Sequence, residues 1–396
     1  MVGGKTHSVV LFLVFFLSVV AVSAQDDFTS EYIEYRSYQL YLKKDWKALL
    51  ALGDSALQQG YDYYYLRMRL GIAEYEQQHY LLAQPHFTKA IEFNSFEELP
   101  KEYLYYCYVF TLQFEESRRC AKNFSFELKK KITYDKLKSV DFLAGEYGKK
   151  ITTIYDVPDA ITLGFGLNHF LFKNVSVFHS YLNYAQSSDY WKVSQNQYYI
   201  RMSVPLKYNW MLLGAFHYGQ SNVDDLSKNV NAAFLTTNNY VESFQISKRI
   251  KKHEFALGST IVWLDSVFQY QHDATYAFYP FANSKLSLGT KVYLHTKNNY
   301  SQLNYALFPY VSFSPSSRVN LFANYLYNQG DNIVEWNGYL LNNSLDITSS
   351  RLSFTATLAL SQKVDLSATY QNETKEARYT PDYSFNSFFI SLKFKP

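Results

Sequence analysis

The chain has no strong charge of either sign. Among its 396 residues, 38 Lys and Arg stand against 35 Asp and Glu, a net charge of +3 that gives no basis for a nucleic-acid partner. Beyond the N-terminus it has no long uninterrupted apolar run, so the body of the chain holds no membrane helix. Catalytic and metal signatures are missing too. There is no Gly-Xaa-Ser-Xaa-Gly elbow, no phosphate-cradling glycine loop, and no His-Glu-Xaa-Xaa-His or Cys-Xaa-Xaa-Cys spacing. We therefore expect no enzyme, no cofactor and no metal. Cysteine is limited to Cys107 and Cys120, which in an oxidising compartment form one disulfide or else stay as two buried thiols.

What is present begins with a leader. Lys5 and His7 precede an apolar run from Val9 to Val22, and Val22-Ser23-Ala24 offers a small-residue cleavage site before Gln25. Residues 1–24 thus read as a secretory signal peptide rather than a membrane anchor. No cysteine follows the cleavage site, which argues against a lipoprotein anchor. The mature chain is then exported across a bacterial inner membrane.

The composition fits one kind of membrane protein. Aromatics make up 19% of the chain, with 38 Tyr and 31 Phe, yet mean hydropathy is only -0.25. A membrane protein without membrane helices must be a closed barrel, because lipid offers no partners to backbone N–H and C=O groups. Tyr and Phe are also the girdle residues of such barrels.

Residues 26–131 differ from the rest. Proline and glycine are scarce there, and Tyr and Leu recur at 3.6-residue spacing. Self-similarity at 34 residues pairs Tyr41 with Tyr75, Trp46 with Tyr80, Ala56 with Ala90 and Leu57 with Ile91. Tyr65 to Asn94 resembles the tetratricopeptide repeat. Leu70 and Gly71 match its Leu-Gly pair, and Tyr80, Ala83, Phe87 and Ala90 match its second-helix packing positions. Small residues at Gly71, Ala83 and Ala90 let two helices approach closely. Arg67 stands where the family usually has Trp, and Ser95 replaces the closing proline. The resemblance implies a solenoid whose concave face binds a protein partner; the alternative is that these helices plug or steady the barrel.

From 132 to 396 the hydrophobicity alternates with period 2, the mark of strands with one apolar and one polar face. In Ser350–Gln371, Leu352, Phe354, Ala356 and Leu358 alternate with Ser353, Thr355 and Thr357. Thirteen such strands can be placed from Ala160 onward. Both ends of the barrel on one side require an even count, so Ser139–Lys149 supplies the missing strand. The expectation is an α+β multidomain chain: a helical solenoid followed by a transmembrane antiparallel barrel of 14 strands, with 12 as the alternative. Short turns should alternate with long links at Ser221–Asn238, Gly330–Ser349 and Asn372–Tyr383. Gln197, Arg201, Gln269, Asp273, Lys291 and Asp365 fall on the lumen-facing register. The final Phe388, Ile390, Leu392 and Phe394 resemble the terminal signal read by the barrel-assembly machinery, although Lys395 and Pro396 follow the last aromatic.

Histidines are scattered. His169 and His179 can meet across a hairpin, while His272 and Ser259 share the outer face by period alone. The function this supports is an outer-membrane barrel whose periplasmic helical domain docks partners in an assembly, secretion or uptake complex. Passage of a small solute or an exopolysaccharide through the barrel is the alternative. Exopolysaccharide export porins are similar in joining such a domain to a barrel, but they have longer repeat arrays and an acidic channel. A membrane lipid enzyme comes third.

Overall fold

The computed structural model describes residues 28–133, 138–153, 157–225, 234–264, 267–297, 302–329, 333–341, 346–377 and 381–396. The proposed leader lies outside them. The chain divides into two compact units, one through Pro100 and one from Lys101 to Pro396.

The first unit is helical: α1 (Ser30–Leu42), α2 (Trp46–Gln58), α3 (Tyr64–Glu76) and α4 (Tyr80–Phe93). Helix starts are set by side-chain caps. Thr29 Oγ1 accepts from Tyr32 N at 3.2 Å, and Asp45 Oδ1 accepts from Ala48 N at 3.2 Å. Ile33, Leu40, Leu49, Ala56, Leu66, Leu70 and Ala73 form its core. Gly71 marks the close approach of α3 to α4: a Cβ there would lie 2.7 Å from Phe87 Cε1. Ala83, Phe87 and Ala90 are buried beside Leu70, and the Tyr80 ring meets Tyr75 edge-on at 5.2 Å. Arg67 is held by an acidic partner. Its Nε and Nη2 donate to the Asp62 carboxylate at 2.6 and 2.8 Å, and Nη1 lies 3.2 Å from His86 Nδ1.

Helix α5 (Leu99–Phe110) leads into the second unit, where α6 (Phe114–Ala121) and α7 (Phe126–Lys131) follow. Fourteen strands then close into a barrel: β1 (Val140–Thr152), β2 (Ala160–Leu171), β3 (Val175–Ser187), β4 (Trp191–Pro205), β5 (Trp210–Asp225), β6 (Phe234–Ile250), β7 (His253–Leu264), β8 (Val267–Phe278), β9 (Leu286–Lys297), β10 (Gln302–Ser316), β11 (Val319–Gln329), β14 (Ile347–Ala359), β15 (Val364–Glu376) and β16 (Tyr383–Phe394). Each pairs antiparallel with its sequence neighbour, and β1 closes on β16 with Tyr147 opposite Ile390. The strand count is even, and the strand expected at Ser139–Lys149 is β1.

Alternation sorts the side chains. Phe354 is 50% exposed while the adjacent Ser353 is 2% exposed, and Phe388 stands out beside a fully buried Ser387. Oily groups point outward and hydroxyls inward, an exterior suited to acyl chains. The two rims differ less than the sequence suggests. The expected link at 221–238 is largely strand, since β5 runs to Asp225 and β6 starts at Phe234. One rim, the turn end, carries the tight turns, such as Phe172–Lys173, where both residues take positive φ.

Candidate functional site

The link expected at Gly330–Ser349 is not a plain loop. Within it β12 (Val334–Glu335) pairs with β13 (Leu340–Leu341), joined by the four residues Trp336–Tyr339. This hairpin lies inside the barrel and meets inward side chains from β3 round to β14. Ile333 packs with Tyr293, Ala306, Phe308 and Leu326, and Val334 with Val241, Val262 and Leu264. The hairpin therefore crosses the lumen.

Its polar contacts are specific. The Gln271 carboxamide grips one residue twice, donating to Val334 O at 2.6 Å and accepting from Val334 N at 3.0 Å. His217 Nδ1 donates to Gly338 O at 2.6 Å, and Tyr199 OH to Asn337 O at 3.3 Å. The Asn337 side chain bridges Lys291 Nζ at 2.9 Å and Gln245 Oε1 at 2.8 Å. Glu335, fully buried, forms an ion pair with Arg351. Two rings lie against the wall, Tyr339 half-buried and Trp336 39% exposed. Trp336 stands edge-on to Phe308 at 5.2 Å and tilted to Phe322 at 6.0 Å, while Tyr339 meets Tyr199 at 5.1 Å and Phe178 at 6.0 Å. Trp336 and Asn337 hold φ of 51° and 58°, and Gly338 holds 89°. A left-handed backbone is costly for a bulky non-glycine residue, so the lumen contacts hold a strained turn.

The turn end is occupied as well. Tyr108 OH donates to Asn209 Oδ1 at 2.9 Å, and Ser284 Oγ donates to Phe110 O at 2.9 Å, tying the end of α5 to two barrel turns. Arg118 of α6 stacks over the Phe170 ring at 3.6 Å. Glu115 and Glu116 of α6, with Ser247, Arg249 and Glu254 of the wall, line a cavity of about 120 Å³. Arg249 Nε bonds Glu254 Oε2 at 2.9 Å, and Tyr279 OH donates to the same oxygen at 2.9 Å, so the cation facing Glu116 is already engaged. Burial, reinforced by Glu115, pushes the Glu116 carboxyl up to about 7.

The residues expected in the lumen do face it. Gln197, Gln269, Asp273, Lys291 and Asp365 are buried on the inner side. Lys291 Nζ lies 3.1 Å from Asp273 Oδ2, and the Arg201 guanidinium sits over Phe178 at 5.5 Å. Asp365 pairs with Lys395 at 2.7 Å, so the lysine after the last aromatic anchors the chain end. Cys107 and Cys120 are not bridged; Cys107 is buried, and Cys120 Sγ lies 3.8 Å from Lys101 O. His169 and His179 do meet, with their Nε2 atoms 3.1 Å apart on the outer face, and His179 Nδ1 lies 2.7 Å from Tyr198 OH. Ser259 and His272 are direct cross-strand partners on the outer wall. Among the described residues no hydrogen bond joins them, nor does any group of three metal-ligating side chains occur.

No family model matches the chain, and no curated protein matches it. Solved structures similar to it include the CymD monoaromatic hydrocarbon channel, at 7% identity over 67% of this chain and 90% of that one, with a TM-score of 0.47. The toluene transporter TodX of P. putida is 7% identical over 66% and 90%, with a TM-score of 0.44. A Pseudomonas aeruginosa FadL homologue is 10% identical over 65% and 90%, with a TM-score of 0.42. Likeness this loose carries no function across, and the chemistry of this chain has to be read from its own residues.

Proposed function

We propose that the chain is an outer-membrane channel for small solutes, held shut at rest by its own hairpin. The observation that carries this is the hairpin crossing the lumen on side-chain hydrogen bonds and ring contacts, on a backbone that is strained where it turns. A lumen that served only as filler would be closed more cheaply by large wall side chains. With the turn end in the periplasm, α6 forms a second closure there.

Single-channel recording in planar bilayers tests the reading. The wild type should pass little steady current. Replacing residues 333–341 with a glycine-serine linker should raise it, and removing α6 as well should raise it further. If both variants fold, by heat-modifiable gel migration, and still stay silent, the channel reading fails.

A second role for the helical unit has its own support. Tyr35 and Tyr65 are 66% and 61% exposed, and the Arg69 guanidinium lies 5.2 and 5.9 Å from the Tyr38 and Tyr65 rings. An exposed aromatic face of this kind, on helices that resemble tetratricopeptide repeats, suits a periplasmic protein partner. Crosslinking in intact cells, with and without residues 26–100, tests it; an unchanged set of partners counts against docking.

A further inference from the structure

The hairpin that already fills the site has a definite chemistry. Resting on the channel reading above, we propose that the lumen binds short peptides bearing aromatic side chains, and that the hairpin is a tethered stand-in for them. The wall reads backbone. Gln271 takes the N–H and C=O of a single residue, and His217 and Tyr199 each donate to a further carbonyl. Such amide-by-amide contacts are what a peptide offers and a hydrocarbon does not. The wall also reads rings, with Phe308 and Phe322 against Trp336 and with Tyr199 and Phe178 against Tyr339.

The same contacts explain why a free peptide can compete. The hairpin occupies the site with the help of its tether, which supplies a high effective concentration. It also holds Trp336 and Asn337 in left-handed conformations that an unconstrained peptide need not adopt. A solute that satisfies the wall without that turn displaces the hairpin and clears the path in the same step.

The test is binding to the detergent-purified full chain, wild type and with 333–341 replaced by a glycine-serine linker. The probes are acetylated, amidated Phe-Gly-Tyr and Ala-Gly-Ala, and the ring compounds indole and p-cresol. The linker variant should bind Phe-Gly-Tyr at least about tenfold more tightly than Ala-Gly-Ala or either ring compound, from two ring contacts together with the amide contacts. The wild type should bind it more weakly than the variant, because its own hairpin competes. Gln271→Ala in the linker background should reduce binding of Phe-Gly-Tyr and leave that of indole unchanged. Indole or p-cresol binding as tightly as the tripeptide, or a folded variant binding none of the probes, overturns the proposal. Conductance of the linker variant without peptide binding would leave the channel standing and remove this inference alone.

Discussion

Glu116 offers a measurable handle on the closure at the turn end. The residue is 5% exposed, lies beside Glu115, and faces an arginine already bound to Glu254. Burial raises it from 4.5 to about 7. A folded value above the unfolded one means that the neutral form is the one the site accepts. Below about pH 4.5 the seat of α6 is unpenalised. Between about pH 4.5 and 7 a released carboxyl ionises while the seated one stays neutral, so the penalty grows with pH at 1.36 kcal/mol per unit and levels off above 7 at about 3 kcal/mol. Amide hydrogen exchange of residues 112–121, divided by intrinsic rates and referenced to barrel strands, should show protection falling between pH 5 and 8. Glu116→Gln keeps the shape, removes the charge, and should hold protection about a hundredfold above wild type at pH 8, the shallower slope that remains coming from Glu115, which burial also raises. The groups around it, Glu115, Arg249 and Glu254, are unchanged in that comparison. Wild-type protection that ignores pH, or a glutamine variant with the wild-type slope, would refute the reasoning.

Other perturbations probe other parts. Gly71→Ala pushes a methyl against the Phe87 ring and should cost the helical unit about 1–3 kcal/mol in denaturant unfolding. Arg351→Met leaves Glu335 buried without its cation, a loss of about 3–5 kcal/mol, and should loosen the hairpin enough to raise channel current. On the outer wall Ala356→Lys should destabilise the barrel in lipid by about 2–4 kcal/mol, whereas Thr355→Lys, one residue away and facing inward, should be tolerated.

The barrel could be read from the sequence because one physical cause acts on every strand: each residue facing lipid must be oily and its neighbours need not be. Leu352, Phe354 and Leu358 carry that signal without help from distant residues. The inward hairpin escaped the same reading, since its strands are two residues each and too short to show a period. Its signal was Asn337-Gly338 between Val334 and the Leu340–Leu341 pair, a turn sequence flanked by apolar residues. The meeting of α6 with the wall left no trace, because Glu116 and Arg249 are brought together only by closure of the barrel. In the helical unit Gly71, Ala83 and Ala90 were singled out by the resemblance to the tetratricopeptide repeat, but the Arg67–Asp62 pair was not.

The central claim is that apolar side chains of residues 140–394 face acyl chains while their neighbours face the lumen. Spin labels placed one at a time at Leu352 to Leu358, in a chain with Cys107 and Cys120 replaced by alanine and reconstituted in lipid, measure this directly. Collision with oxygen, which dissolves in the bilayer, should be high at 352, 354, 356 and 358 and low at 353, 355 and 357. A profile without that two-residue oscillation, or one of opposite phase, would contradict the account.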